Sequence, residues 1–221
     1  MKRSSDMPNS ISHMKTLLTI TALVAAAVTP AMADIAEKLT APPKGAEVRP
    51  GMSAFTPEGW SVQHGDAQIR WDLGKFYRKG TVEFEIKGPL AHEPKRILFA
   101  AWNESAATDG DRKTQAFFQI RLIGNGMMLR ATNRSGGKSF EQATGPLKWS
   151  DDQWVKIKGT WDTAGGDCVI WRDGVEMKRG MFNAQFPGFR WVFLGRDNYQ
   201  PNYFAVAGTT YRNFRLHSLE E

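Results

Sequence analysis

Apolar and polar residues alternate with a period of two along much of this chain. The clearest case is residues 81–87, where Val82, Phe84 and Ile86 face one way and Glu83, Glu85 and Lys87 the other. That spacing places side chains on opposite faces of a β-strand, with the apolar set turned to a core. Residues 68–73 repeat it, with Ile69, Trp71 and Leu73 on one face. Residues 154–161 do so again, Trp154, Lys156, Lys158 and Thr160 interleaving with Val155, Ile157, Gly159 and Trp161. Trp154 and Trp161 are both expected in the core. Residues 168–172 make a short apolar and aromatic strand, and Asp173-Gly174 can take the positive φ angles of a type I′ hairpin turn before Val175 starts the return. Such a hairpin cannot shield its apolar face alone, so the unit requires more sheet around it.

The rest of the chain supplies that sheet. Residues 96–103 are an almost continuous apolar run, as a central strand would be. The polar stretch 104–114 follows, and connections of that length on a compact scaffold often border a site. Residues 115–123 and 127–134 read as strands joined by a Gly124-Asn125-Gly126 hairpin, and Ser135-Gly136-Gly137 turns the chain again. Residues 147–152 lead into the Trp154 unit. Residues 189–194 and 211–216 are two more strands, separated by the stretch 195–208, rich in Asn, Pro and Tyr. Residues 34–50 hold three prolines and read as a linker or a first edge segment. There is no capped amphipathic helix and no internal repeat. Roughly ten to thirteen short strands, about ten residues apart, predict an all-β antiparallel sandwich or jelly roll.

Composition adds three points. A chain of 221 residues is within the range of one all-β domain or two small ones, and 41% hydrophobic with 24% charged residues is ordinary for a globular protein. The single cysteine, Cys168, excludes an intramolecular disulfide and sits in a strand pattern, as a buried thiol would. Lys15, the apolar run 17–28 and Ala31-Met32-Ala33 have the form of an export signal cleaved before Asp34. Met14 is an alternative start, because the segment from there is a conventional signal by itself. The apolar run is short for a membrane span and none of 18 residues follows it, so no span is expected once the signal is removed. Of the formal charge of +6, Lys2, Arg3 and Lys15 against Asp6 contribute +2, leaving +4 for the mature chain. That excess permits acidic partners without requiring them. Nucleic acid is not expected as a partner, for want of a basic run or a recognised binding motif.

Several of these residues also carry a resemblance. A strand opening Gly80-Thr81-Val82-Glu83-Phe84-Glu85-Ile86 is followed by Gln153-Trp154, Thr160-Trp161-Asp162, a Gly-containing loop and Asp173-Gly174, then Leu194-Gly195, and finally Gly208 before the strand 211–216. Over about residues 55–218 this order resembles the laminin-G-like, concanavalin A-like jelly roll. The resemblance implies two stacked antiparallel sheets, with carbohydrate recognition as the commonest role and polysaccharide lyases and glycoside hydrolases as catalytic relatives. Many members hold a calcium ion between the chain ends, where the last strand often carries Asp. This chain has Arg212 there, so no cofactor or metal is expected.

Candidate chemistry falls into three classes. Glycoside hydrolysis needs two carboxyls about 5.5 Å or about 6.5–9.5 Å apart. Glu83 and Glu85 share a strand face at about 7 Å, but the resemblance implies Glu-x-Asp-x-x-Glu, and the middle Asp and last Glu are absent. Two solvated carboxylates balancing nearby lysines is the plainer reading. β-Elimination from a uronic acid needs a group to neutralise the carboxylate and a Tyr or His base. Gln119 and Arg121 lie on one strand face, and the tight turn after Ile123 would bring Arg130 and Arg134 to the same cationic surface. The alginate-lyase branch that this stretch resembles has His where Arg121 stands, and its Tyr-rich C-terminal motif is unmatched, although Tyr199 and Tyr203 lie in the late loop. Binding without catalysis asks only for an aromatic platform and a few polar groups. Trp102 with Asn103, Trp171, Tyr199 and Tyr203 are candidates. The histidines are scattered, and no zinc spacing, nucleophile elbow or phosphate loop occurs.

The expected layout is a signal over 1–33, an edge segment or linker over 34–54 and a jelly roll over 55–221. The expected role is a periplasmic or secreted module that binds a polysaccharide or other glycan, an acidic one for preference, through Trp102, Asn103, Gln119, Arg121, Arg130, Arg134 and Tyr199. The alternatives are a periplasmic lyase and a non-catalytic protein-interaction domain. Catalytic residues are not assigned.

Overall fold

The structure is a computed structural model. It describes residues 32–89, 96–103, 116–123, 126–133, 138–144, 150–182, 186–197 and 203–219. Fifteen strands occur among them and no helix. They are β1 (Met32–Glu37), β2 (Ala46–Val48), β3 (Ser53–Thr56), β4 (Gly59–Val62), β5 (Gln68–Tyr77), β6 (Lys79–Lys87), β7 (Arg96–Trp102), β8 (Ala116–Ile123), β9 (Gly126–Asn133), β10 (Lys138–Ala143), β11 (Val155–Asp162), β12 (Asp167–Arg172), β13 (Val175–Met181), β14 (Phe189–Gly195) and β15 (Thr210–Leu219).

Two antiparallel sheets stack face to face. One runs β13-β12-β11-β6-β15-β4-β3, with β1 pairing β15 to make eight strands; the other runs β10-β9-β8-β7-β14-β5-β2. The fold is the antiparallel jelly-roll sandwich that the alternation and the resemblance predicted. Val82, Phe84 and Ile86 point inward from β6, and Val155, Ile157 and Trp161 from β11. Opposite them lie Phe99 of β7, Phe118 and Ile120 of β8, and Trp71 of β5. The two sheets press so closely that Gly159 leaves room for Phe118, whose Cζ would lie 2.9 Å from a Cβ there.

Local predictions hold where local chemistry decides. Asp173 and Gly174 have φ of 49° and 84°, positive at both positions as a type I′ turn requires. Cys168 is buried and unbridged. Of the two readings of residues 34–50, the edge segment holds: β1 pairs with β15 and β2 with β5. Two expectations change. Lys138–Ala143 forms β10, paired with β9, where no strand was foreseen after the Gly-rich turn. Trp154 is not in the core. It alternates with Val155, so Val155 takes the inner face, and the half-buried indole lies under Lys87 at 5.1 Å and Arg212 at 3.8 Å. Residues 124–125, 134–137 and 145–149 lie outside the described residues.

Candidate functional site: the outer face of the seven-stranded sheet

The continuous apolar run of β7 has a structural cause: this strand and β8 are buried on both faces. Phe99, Ala101, Phe118 and Ile120 enter the main core. Their neighbours Ile97, Ala100, Trp102 and Phe117 form a second cluster with Phe193 on the other side of the sheet, against which Trp191 and Tyr203 pack. Register puts Trp191 beside Trp102 and Trp102 beside Phe117, with the Trp102 and Phe117 rings 4.5 Å apart. An aromatic row thus crosses three strands.

The next row carries polar groups. Phe193 pairs with Ala100, Ala100 with Gln119, and Gln119 with Arg130. The expected juxtaposition of Gln119 and Arg130 is therefore present at the level of backbone register. Gln119 and Arg121, however, are 1% and 5% exposed, not an open cationic surface. The carboxylate of Asp197, itself fully buried, joins Gln119 to Trp102. Trp102 Nε1–H donates to Asp197 Oδ2 at 3.2 Å, and Gln119 Nε2–H donates to the same oxygen. Trp102 is therefore a buried donor at 3% exposure rather than an exposed platform. Gln119 Oε1 is buried and has no hydrogen-bond partner.

Guanidinium groups surround this cluster. Arg121 lies over the Tyr203 ring at 4.0 Å. The next residue, Phe204, lies between Arg96 and Arg196, each 5.4 Å from its centroid. Burial lowers the pKa of both arginines from its usual value, helped at Arg196 by nearby Arg49; arginine stays protonated even so. At the other end of the aromatic row, Trp191 is flanked by Arg70 at 5.1 Å and Arg190 at 5.3 Å. Arg190 grips Asp72 with two hydrogen bonds of 2.6 and 2.7 Å, and Arg70 pairs with Glu47.

Other predicted residues divide. Asn103 is a fastening: its Oδ1 accepts from Ala116 N–H at 2.8 Å and its own N–H donates to Ala116 O, closing the β7–β8 end. Arg130 is fixed by register alone, and Arg134 and Tyr199 lie outside the described residues. Trp171 lies on the opposite sheet, remote from this face. Glu83 and Glu85 share the outer face of that other sheet as expected, but each is engaged: Glu83 with Lys156 at 2.8 Å, Glu85 with Arg212 at 2.6 Å and Asn213 at 3.0 Å. Arg212, the residue standing where an Asp would favour calcium, is thus an ion-pair partner, and among the described residues no cluster of three His, Cys, Asp or Glu is placed to hold a metal. Asp197 and Trp191 were missed. The alternation of Phe189, Arg190 and Trp191 could have flagged Trp191. No local pattern marks Asp197.

The family model described as concanavalin A-like lectin/glucanases superfamily, Laminin_G_3, matches residues 63–215. No curated protein matches. Among solved structures, domain 4 of an extracellular arabinanase from Geobacillus stearothermophilus, in complex with arabinotriose, superposes with a TM-score of 0.51 at 19% identity, over 85% of this chain and 82% of that one. Crh5 transglycosylase in complex with NAG gives 0.54 at 12% identity, over 85% and 83%. At such identities the likeness is one of fold. The family match spans most of the chain: this protein belongs to the Laminin_G_3 family of concanavalin A-like lectin/glucanase domains.

Proposed function

We propose that the protein is an exported carbohydrate-binding jelly roll, and that an acidic polysaccharide lies across the outer face of its seven-stranded sheet. The observation that carries this reading is the meeting of Trp102, Gln119 and Arg121 with Asp197 and Tyr203 on that one face. Aliphatic side chains would fill such positions at lower cost, because burying amide and charged groups is unfavourable unless they are well paired. Retaining them fits recognition better than packing. Half-buried Trp191 lies between Arg70 and Arg190, whose partners Glu47 and Asp72 a ligand carboxylate would have to displace. The arabinanase domain in complex with arabinotriose, similar in fold, supports a carbohydrate as ligand. Export rests on the N-terminal pattern, with the signal removed before Asp34.

A lyase is the second reading, favoured by the contact of Arg121 with the ring of Tyr203, a carboxylate-binding group beside a phenol. One experiment separates the two. The chain starting at Asp34 is run in native gels containing polygalacturonate or alginate, and the same mixtures are followed for the ultraviolet absorbance of unsaturated chain ends. Retardation without new absorbance is expected, with about tenfold weaker retardation for Trp191→Ala. New unsaturated ends would convert the reading to the lyase. Absence of both would leave the acidic-glycan reading without support.

A further inference from the structure

The opposite side of the sandwich holds a second, differently charged depression. On the outer face of the eight-stranded sheet, register aligns His217, Thr81, Thr160, Val169 and Arg179 in one row across five strands. The row beside it is Arg215, Glu83, Lys158, Trp171 and Glu176. Two threonines and a valine amid longer side chains make a trough. Its volume is about 320 Å³, walled by Trp171 on one side and by Lys79, Asp162 and Asp167 on the other. That lies at the lower end of small-molecule sites, about 300–1,000 Å³.

Trp171 is the pivot. It is half-buried, and it also lines an adjoining cleft of about 280 Å³ with Glu83, Lys156 and Lys158. Space therefore opens on two sides of the indole, with Lys158 Nζ 5.3 Å from its centroid. The rim is held in place before any ligand arrives. Asp162 Oδ1 accepts from the backbone N–H groups of Ala164 and Gly165 at 2.9 and 2.8 Å, and Lys79 Nζ lies 3.6 Å from its other oxygen. Arg179 is steadied by Glu176 at 2.9 Å, and His217 by Asp34. Two cations, Lys79 and Arg179, face two carboxylates, Asp162 and Asp167, so the trough has no net formal charge.

We propose that this trough is a second glycan site, for an uncharged oligosaccharide. Trp171 stacks on the C–H face of one sugar, and Asp162, Asp167 and the hydroxyls of Thr81 and Thr160 bond to its hydroxyl groups. Stacking needs one accessible ring face, which half-buried Trp171 has where the trough and the cleft open beside it, and vicinal hydroxyls need donors and acceptors together, which the rim supplies. Balanced charge gives an acidic polymer no advantage here, unlike the arginine-flanked face across the sandwich. The proposal does not rest on that other face. If both sites operate, the domain can join a neutral glycan to an acidic one.

The test uses the chain starting at Asp34, in native gels containing arabinan, xyloglucan, β-1,3-glucan, mannan or dextran, with polygalacturonate as the acidic control. At least one neutral polymer is expected to retard the protein. Trp171→Ala should weaken that retardation about tenfold, Asp167→Asn should weaken it too, and Trp191→Ala should leave it unchanged. Unchanged melting temperatures of the variants keep the comparison fair, Trp171 and Asp167 being outside the core. Retardation by none of the neutral polymers, or full retardation of Trp171→Ala, would overturn the proposal. Retardation by polygalacturonate alone, lost in Trp191→Ala, would overturn it while sparing the acidic-glycan reading.

Discussion

Asp197 holds together groups that no stretch of sequence brings near it. Its carboxylate is fully buried and accepts from an indole 95 residues away and an amide 78 residues away. Asp197→Ala would strand both donors in a dry site, and a loss of about 2–3 kcal/mol in denaturant unfolding is expected. Asp197→Asn keeps an acceptor oxygen and should lose less, which distinguishes hydrogen bonding from space-filling. Cys168 offers a second check at this scale. Burial, with Asp167 nearby, pushes its thiol up to about 12. The thiolate is the reactive form, so Cys168 should resist a maleimide in the native protein and react on unfolding; fast native labelling would contradict its placement. That Cys168 is buried was legible from its strand pattern. The carboxylate of Asp197 was not, because nothing around it in the chain marks it as inward-facing.

Elements were more legible than the contacts between them. Alternation located the inner faces of β5, β6 and β11 because a pleated strand has one period whatever it pairs with. What alternation could not supply was the fit between neighbours. Gly80 pairs with Trp161, and a Cβ on it would sit 2.0 Å from the indole. Gly80→Ala should therefore destabilise by about 2 kcal/mol or more, as overpacking does, measured by the shift in denaturant midpoint. Cross-strand ion pairs also act between elements. The hydrogen bond from Arg190 holds the Asp72 carboxyl below its ordinary pKa, and that from Lys156 does the same for Glu83. Between folded and unfolded pKa values the unfolded chain binds more protons, so this stabilisation is present above the unfolded value of about 4 and fades as pH falls through the folded one. The pairs are partly solvated and each effect is small. Asp72→Asn should slightly lower the melting temperature above about pH 4 and leave it unchanged in acid, so that the acid limb of a plot of melting temperature against pH flattens.

At the scale of the molecule, β15 ties the chain's end to its beginning. It lies between β6 on one side and β1 and β4 on the other, with pairs to β6 spanning more than a hundred residues. A chain ended before Thr210 would expose the edges of three strands and strip Tyr211, Phe214 and Leu216 from the core. It should lose cooperative unfolding and its strand-type circular dichroism; retention of both would contradict the topology. The sequence alone determined most of the strands, though not β10, together with the hairpin at Asp173-Gly174 and the sandwich class, since each depends on periodicity or turn chemistry within a few residues. Only the tertiary structure decided that β7 and β8 are covered on both faces and that Trp102 is a buried donor to Asp197. It also decided that threonines from β6 and β11 make a trough beside Trp171. These outcomes depend on which distant strands lie side by side and in what register, and side-chain alternation is the same for every register that keeps the apolar face inward.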